Sequence, residues 1–484
     1  MFKKVFSLFI ALPLVVLFAG CAIEDDIPYP FIESAITAIE VEGQCNDTGT
    51  GAGSAVINNA KHTVQLYVDE SVDLSRVSIK RLEVSNDATI SVKKGAINSA
   101  AFPSKSFRET SDAEATRVDF TAPVEFKLTT YQDYDWTVSA SQVIRGEADV
   151  FARCTSATVS GEIKGGIVPT FEYSIEGSDQ WIQVPAADMT SASDRYKAEL
   201  TGLTPGTSYA YRLQYGASSP STGTFATAPA VQLPNSSFDY WSSVGEGTRT
   251  LWLPQAEGDE TFWDTGNRGA TTVGASNSTG VTEGDRTYAN LQSKYIVVKF
   301  AAGNIFTGDY LATDGTNGIL GFGREFSSFP KSLKFDYKFK SAAINRGGKW
   351  EEPYARYLDK EFFDGLKGSK DPFQIYIALL DDFVDDADRE ANTYDGKVYP
   401  FLIRTKPSNI KLFDPTDPRI IAYNQLTESG DAEDWTTYEL PLEYRYTDRK
   451  PKYIVIVVSS SKYGDYFTGY DKTLLQLDNL ELVY

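Results

Sequence analysis

The sequence predicts an all-β protein: two small β-sandwiches followed by one larger sandwich of the jelly-roll kind. Three observations predict it. Aromatic residues make up 13% of the 484-residue chain, and aromatic side chains favour strands. Short alternating or apolar runs recur along the chain with turn residues between them. Helical periodicity is nearly absent. At about 150 residues per domain, the length predicts roughly three domains.

Composition narrows the function. The formal net charge of -20 argues against nucleic acid as a partner, because phosphate binding needs a basic stripe. There is one histidine, His62. A Ser–His–Asp triad would have to use it, and it lies in the strand-like stretch "KHTVQLYVD". A histidine-rich zinc site is excluded, and the cysteines do not substitute for one. Those cysteines are Cys21, Cys45 and Cys154. Cys45 and Cys154 either pair with each other or remain two inert thiols.

Residues 1–20 read as a signal peptide. Lys3 and Lys4 precede an apolar run that ends on small residues before Cys21. The run is too short for a transmembrane helix. Ala19-Gly20-Cys21 resembles a bacterial lipobox, with Phe18 where Leu is usual. The resemblance implies lipidation at Cys21, which would become the mature N-terminus and anchor the chain to a membrane. The alternative is an ordinary signal with a chance cysteine. Residues 21–30 form an acidic tether. Its Glu24, Asp25 and Asp26 resemble the export signal of Bacteroidetes lipoproteins, which implies the outer membrane and its cell-surface face. A solvated tether is the plainer reading.

Residues 31–145 form the first sandwich. "HTVQLYVD", "VSIKRLEVS", "ATISV", "VEFKLTT" and "DWTVSAS" are short, β-branched and spaced as sandwich strands are. The last of these resembles a strand of the immunoglobulin-like spacers of Bacteroidetes surface proteins, with Trp136 in the core. Residues 146–229 form the second sandwich. "LTGLTPGTSYAYRLQY" resembles a fibronectin type III domain. Leu203, Pro205 and Gly206 make the turn, and Tyr209 stands at the tyrosine corner. Val159 takes the place of the usual core tryptophan. "TAPAVQLPN" then reads as a linker.

Residues 230–484 form the third body and hold five of the seven tryptophans. Its strand candidates include "KYIVVKFAAG", "SLKFDYKFK", "FQIYIALLD", "RIIAYNQL", "TTYELPLEY", "PKYIVIVVSSS" and "TLLQLDNLELVY". Several are apolar at consecutive positions, as core strands can be. The stretches "LPNSSFDYW", "FWDTGNRGATT", "KFAAGNIFTGDY", "NGILGFGREFSSFPKSLKFDYKF" and "SKYGDYFTGYDKTLLQLDNLELVY" resemble the "putative carbohydrate metabolism domain" (PCMD) of Bacteroidetes lipoproteins. That resemblance implies a jelly-roll sandwich similar to carbohydrate-binding modules, whose two ends pair side by side.

Sugar recognition needs an aromatic ring under the apolar ring face and polar groups for the hydroxyls. Candidate platforms are Trp241, Trp252 and Trp263 in the early loops. Trp350, Tyr354 and Tyr357 are further candidates, in the long insertion "RGGKWEEPYARYLDKEFFDG". Candidate polar partners are Asp264, Asn267, Arg268, Arg346 and Glu351. Each tryptophan has a plainer reading as core. The cluster "LLDDFVDDADRE" lacks the glycine and terminal glutamate of a calcium loop and reads as a solvated loop. Asp478 resembles the acid near the end of calcium-bearing jelly rolls, with Asp239 as its partner. A structural calcium there stands against an Asp that turns the last strand pair. No other cofactor is expected.

Three functions remain open. The first is a surface lipoprotein that binds glycan through the third domain, with the two sandwiches as spacers. The second is a glycoside hydrolase or related carbohydrate-active enzyme, for which no catalytic residue stands out. The third is an adhesion or assembly protein that binds another protein.

Overall fold

The computed structural model describes residues 33–109 and 112–484. The signal peptide, Cys21 and the acids at 24–26 lie outside the described residues. The regular structure of the described chain is almost entirely strand, in antiparallel sheets with one parallel pair, Thr63–Asp69 beside Asp133–Val143. Among the described residues no helix is long and apolar enough to cross a membrane.

Contacts divide the chain into two units. One runs through Ile144 and includes Ala217–Ser219; the other holds Arg145–Gly216 and Pro220–Tyr484. The first unit has a five-stranded and a three-stranded sheet. Alternation along Thr63–Asp69 sends Val64, Leu66 and Val68 into its core. Trp136 is buried, and its indole N–H donates to the Ser34 carbonyl at 3.2 Å. His62 sits one residue before its strand, in a turn with φ of 50°. Its ring stacks on Trp136 at 5.1 Å, and Nε2 lies 2.7 Å from Glu33. These contacts give it a packing role. Cys45 and Cys154 are both free thiols.

The second unit begins with two four-stranded sheets over residues 149–226. The Tyr209 hydroxyl accepts the Thr204 backbone N–H at 2.8 Å and so ties down the turn that precedes its strand. The linker expected at 227–235 is instead bonded along its length to the larger sandwich. Pro229 O accepts from the Ser328 hydroxyl and the Cys154 thiol. Gln232 clasps the Leu482 backbone through both ends of its amide, at 2.6 and 2.8 Å. The two ends of the larger sandwich therefore lie side by side.

That sandwich packs a nine-stranded sheet on a five-stranded one. The large sheet is buried on both faces. Ile375, Ile377 and Leu379 face the small sheet, while Tyr376, Ala378 and Leu380 face a second apolar cluster on the other side. This is why "FQIYIALL" and "YIVIVVS" read as unbroken apolar runs. The outer cluster is roofed by the insertion after Lys340 and by the 460s loop.

Two elements differ from expectation. "KYIVVKFAAG" is a hairpin, Lys294–Ile296 with Lys299–Ala301, because Val297 takes φ of 52° and reverses the chain. The acidic cluster folds as a short helix, Asp386–Ala391, which the Asp385 side chain caps by accepting the Asp388 N–H. Arg389 pairs with Asp382 at 3.1 Å.

Candidate functional site

A recess of about 230 Å³ opens on the outer face of the large sheet. Its floor comes from alternate residues of four strands. Phe306 and Tyr310 lie on one, Leu320 and Val457 on its two neighbours, and Gln374 and Tyr376 on the strand beyond that of Val457. Three short pieces form the walls. The helix Asn267–Ala270 and its flanks supply Gly266, Gly269 and Val273; the hairpin supplies Ile296, Val298 and Lys299; the loop after Ser459 supplies Lys462, Asp465 and Phe467.

The loop that carries Asp465 is held in place from behind. Asp371, fully buried, accepts from the Ser461 hydroxyl (2.8 Å), the Tyr470 N–H (2.8 Å) and the Thr473 hydroxyl (2.7 Å). Burial still wins over these three bonds and pushes the Asp371 carboxyl up to about 6. Gly348 donates its N–H to Thr468 at 2.9 Å. A Cβ on Gly348 would stand 2.0 Å from the Tyr466 carbonyl oxygen, so only glycine fits there. Phe467 sits in left-handed backbone with φ of 54°, which costs free energy for a bulky residue.

Asp465 is the one carboxylate in the lining. It is open to solvent, yet the protein crowding round it removes hydration and pushes its carboxyl up to about 6. Among the described residues no hydrogen bond or ion pair reaches it. Both lining lysines are pushed down from the usual range by burial. Lys299 donates to Thr316 and Asn317, each at 3.0 Å, and lies over the Phe467 ring at 3.3 Å. Lys462 reaches Thr427 at 3.3 Å.

The residues singled out from the sequence fall mostly elsewhere. Trp263 is 1% exposed and belongs to the inter-sheet core. Its indole donates to Pro234 O at 2.7 Å and its ring packs edge-on against Phe238. It offers no face to a ligand, because "WD" is a two-residue strand paired with Thr307 and Phe306. Asp264 is buried too, accepting from the Thr265 and Tyr310 N–H groups, both at 2.8 Å. Asn267 spends its whole amide on backbone: Trp252 O and Ser278 O accept, and the Asn277 and Ser278 N–H groups donate. Arg268 is exposed, 3.7 Å from Asp264. Trp241 is half-buried over Gly280, and Trp252 is half-buried in the ribbon Ser242–Val244 with Leu251–Leu253.

In the insertion, Tyr354 is buried and Trp350 half-buried, packed with Phe363 and Tyr466 under the roof of the outer cluster. Neither is a platform, because the large sheet's outer face needs that apolar cover. Tyr357 and Glu351 are half-buried beside them. Arg346 stands behind the hairpin wall of the recess. It pairs with Asp471 at 2.7 Å and lies 4.4 Å over the Tyr295 ring, next to the lining residue Ile296. Asp478 is bonded to the Arg286 guanidinium, which also holds Asp336 at 2.8 Å, while Asp239 accepts from Ser237 at 2.6 Å. Among the described residues no group of three or more His, Cys, Asp or Glu is placed to share a metal ion.

Sequence reasoning missed Lys299, Tyr376, Lys462, Asp465 and Phe467. Some signal was present, since Lys299, Lys462, Asp465 and Phe467 lie inside stretches that carry the family resemblance. Attention went to tryptophans, and the recess contains none.

Fold and recess define the class first: a β-sandwich protein with a ligand-sized recess on the outer face of its larger sheet. Residues 237–483 match the family model described as "putative carbohydrate metabolism domain" (PCMD), and the chain belongs to that family. No curated protein matches the chain. Among solved structures, a "putative glycoside hydrolase" from Bacteroides thetaiotaomicron is 15% identical, with 94% of this chain and 98% of that one covered and a TM-score of 0.33. Another from Bacteroides vulgatus is 21% identical, covering 51% of this chain and 96% of that one, with a TM-score of 0.36. A Bacteroides ovatus protein in complex with a mixed-linkage heptasaccharide is 8% identical, covering 81% and 95%, with a TM-score of 0.14.

Proposed function

We propose that this protein is a surface-anchored lipoprotein that binds glycan in the recess of its C-terminal domain. One observation carries the reading. Three of the stretches that mark the family, "FWDTGNRGATT", "KFAAGNIFTGDY" and "SKYGDYFTGY", lie far apart in the chain but meet as walls and floor of one cavity. The chemistry of that cavity suits a sugar. Ile296, Val298 and Phe467 offer apolar surface above a floor that includes Phe306 and Tyr376, and Asp465, Lys462 and Gln374 offer hydroxyl partners. Its volume lies below the roughly 300–1,000 Å³ of sites for drug-sized ligands, so it suits one ring or a chain end. The anchor rests on the pattern around Cys21.

Hydrolysis by two carboxylates finds less support. That chemistry needs a second carboxyl roughly 5–10 Å from the first, and the lining holds only Asp465. A glycan array probed with the full chain tests the binding reading. Retention of a defined glycan class, lost on Phe467→Ala, is expected. No retention across plant, microbial and host glycans overturns it.

A further inference from the structure

The 460s loop ends its helical turn, Gly464–Tyr466, on Phe467 in left-handed backbone. Glycine usually fills such a position, and asparagine sometimes does, because neither suffers the clash of a large side chain there. The loop accounts for the backbone. Tyr466 is buried in the outer cluster, and its carbonyl accepts from the Thr468 hydroxyl at 3.1 Å. Thr468 is 2% exposed and also accepts the Gly348 N–H at 2.9 Å. Both neighbours of Phe467 are therefore pinned, and the chain between them has to turn left-handed. Nothing in that geometry asks for an aromatic side chain.

The core does not ask for one either. Phe238, the other described phenylalanine in such backbone, is fully buried against Trp263, and burial of that size offsets the strain. Phe467 is half-buried and joins none of the three hydrophobic clusters. Its ring lines the recess instead, with Lys299 Nζ at 3.3 Å from the centroid. That ammonium is itself held by Thr316 and Asn317. The contact joins the hairpin wall to the loop wall and orients the ring before any ligand arrives, which lowers the cost of binding.

We infer that Phe467 is the ring against which the recess seats its ligand, and that the strained position holds an aromatic side chain for the C–H face of a sugar and not for the fold. This rests on the glycan-binding reading above.

Three variants of the full chain separate the two roles. Phe467→Ala removes the ring and keeps the strain. Phe467→Asn removes the ring and relieves the strain. Phe467→Tyr keeps the ring. Binding is read by affinity electrophoresis in gels containing xylan, mixed-linkage β-glucan, galactomannan or pectin, and stability by urea unfolding. Wild-type protein is expected to be retarded by at least one of these polysaccharides. Phe467→Ala and Phe467→Asn should both bind it roughly tenfold or more weakly, and Phe467→Tyr should recover most of that loss. Phe467→Asn should unfold at higher urea than Phe467→Ala, and both should fall far less than Trp263→Ala. Retardation that Phe467→Ala and Phe467→Asn leave unchanged overturns the role of Phe467 and leaves glycan binding standing. A midpoint for Phe467→Asn as low as that of Trp263→Ala makes the side chain a part of the fold and overturns the inference. No retardation of the wild type in any gel, with no glycan retained on the array, overturns both.

Discussion

At the scale of single residues, the segment "ETFWDTGNRGATT" reverses its apparent meaning. Its polar residues look like a surface loop, yet Asp264, Thr265 and Asn267 are among the most buried polar groups of the domain. Each is matched to backbone donors or acceptors, and the pattern of a sequence does not show such matching. Trp263 fills the space between the sheets. Trp263→Ala should therefore cost about 3–5 kcal/mol of stability, read as a lower urea midpoint for residues 145–484. An unchanged midpoint would return Trp263 to the surface. Asp465 shows the opposite error. Nothing in "KYGDYF" separates an acid that lines a recess from the many on open surface, because its distinction lies in the walls brought round it by distant strands.

At the scale of elements, most long strands were legible. "SLKFDYKFK" alternates cleanly because only one face of its sheet is buried. The strands Asn304–Asp314 and Asn317–Phe322 were harder, since glycines interrupt their pattern where chains pass closely, as at Gly308 beside Gly321 O. The 460s loop carries a further prediction through its anchor, Asp371. That carboxyl binds its proton more tightly folded than unfolded. Between about pH 4 and 6 the folded state holds the extra proton, so stability falls as pH rises through that window. The size is on the order of 2 kcal/mol. Asp309 works the other way. Burial would raise its carboxyl, but Arg324, Lys397 and Tyr399 outweigh that and hold it well below the usual range. Its contribution is lost only in stronger acid. Chemical unfolding at pH 4.5 and 7 is expected to show the greater stability at 4.5, with a smaller difference in Asp371→Asn. A rise toward pH 7 would contradict the role of Asp371.

At the scale of the molecule, the sequence read three bodies, while contacts bind the second and third into one unit. Composition marked residues 227–235 as a linker because Pro and small residues are common there. It could not show that Cys154 lies against Ser328 and Phe329, or that Arg153 donates to Thr447 O at 3.0 Å. A fragment of residues 145–484 should accordingly unfold in one transition, whereas residues 230–484 alone should unfold at lower denaturant with Phe329 uncovered. Equal midpoints for the two fragments would show that these contacts add nothing.

The five-stranded sheet also sets a timetable. Leu474–Val483 is last in chain order among the described strands, yet it occupies the sheet's centre, between Arg286–Gln292 and Ser332–Lys340. While the ribosome is still making the middle of the domain, those two strands have open edges and no neighbour to fill them. The sandwich can close only after the 474–483 segment has emerged, so this domain folds after its synthesis and not during it.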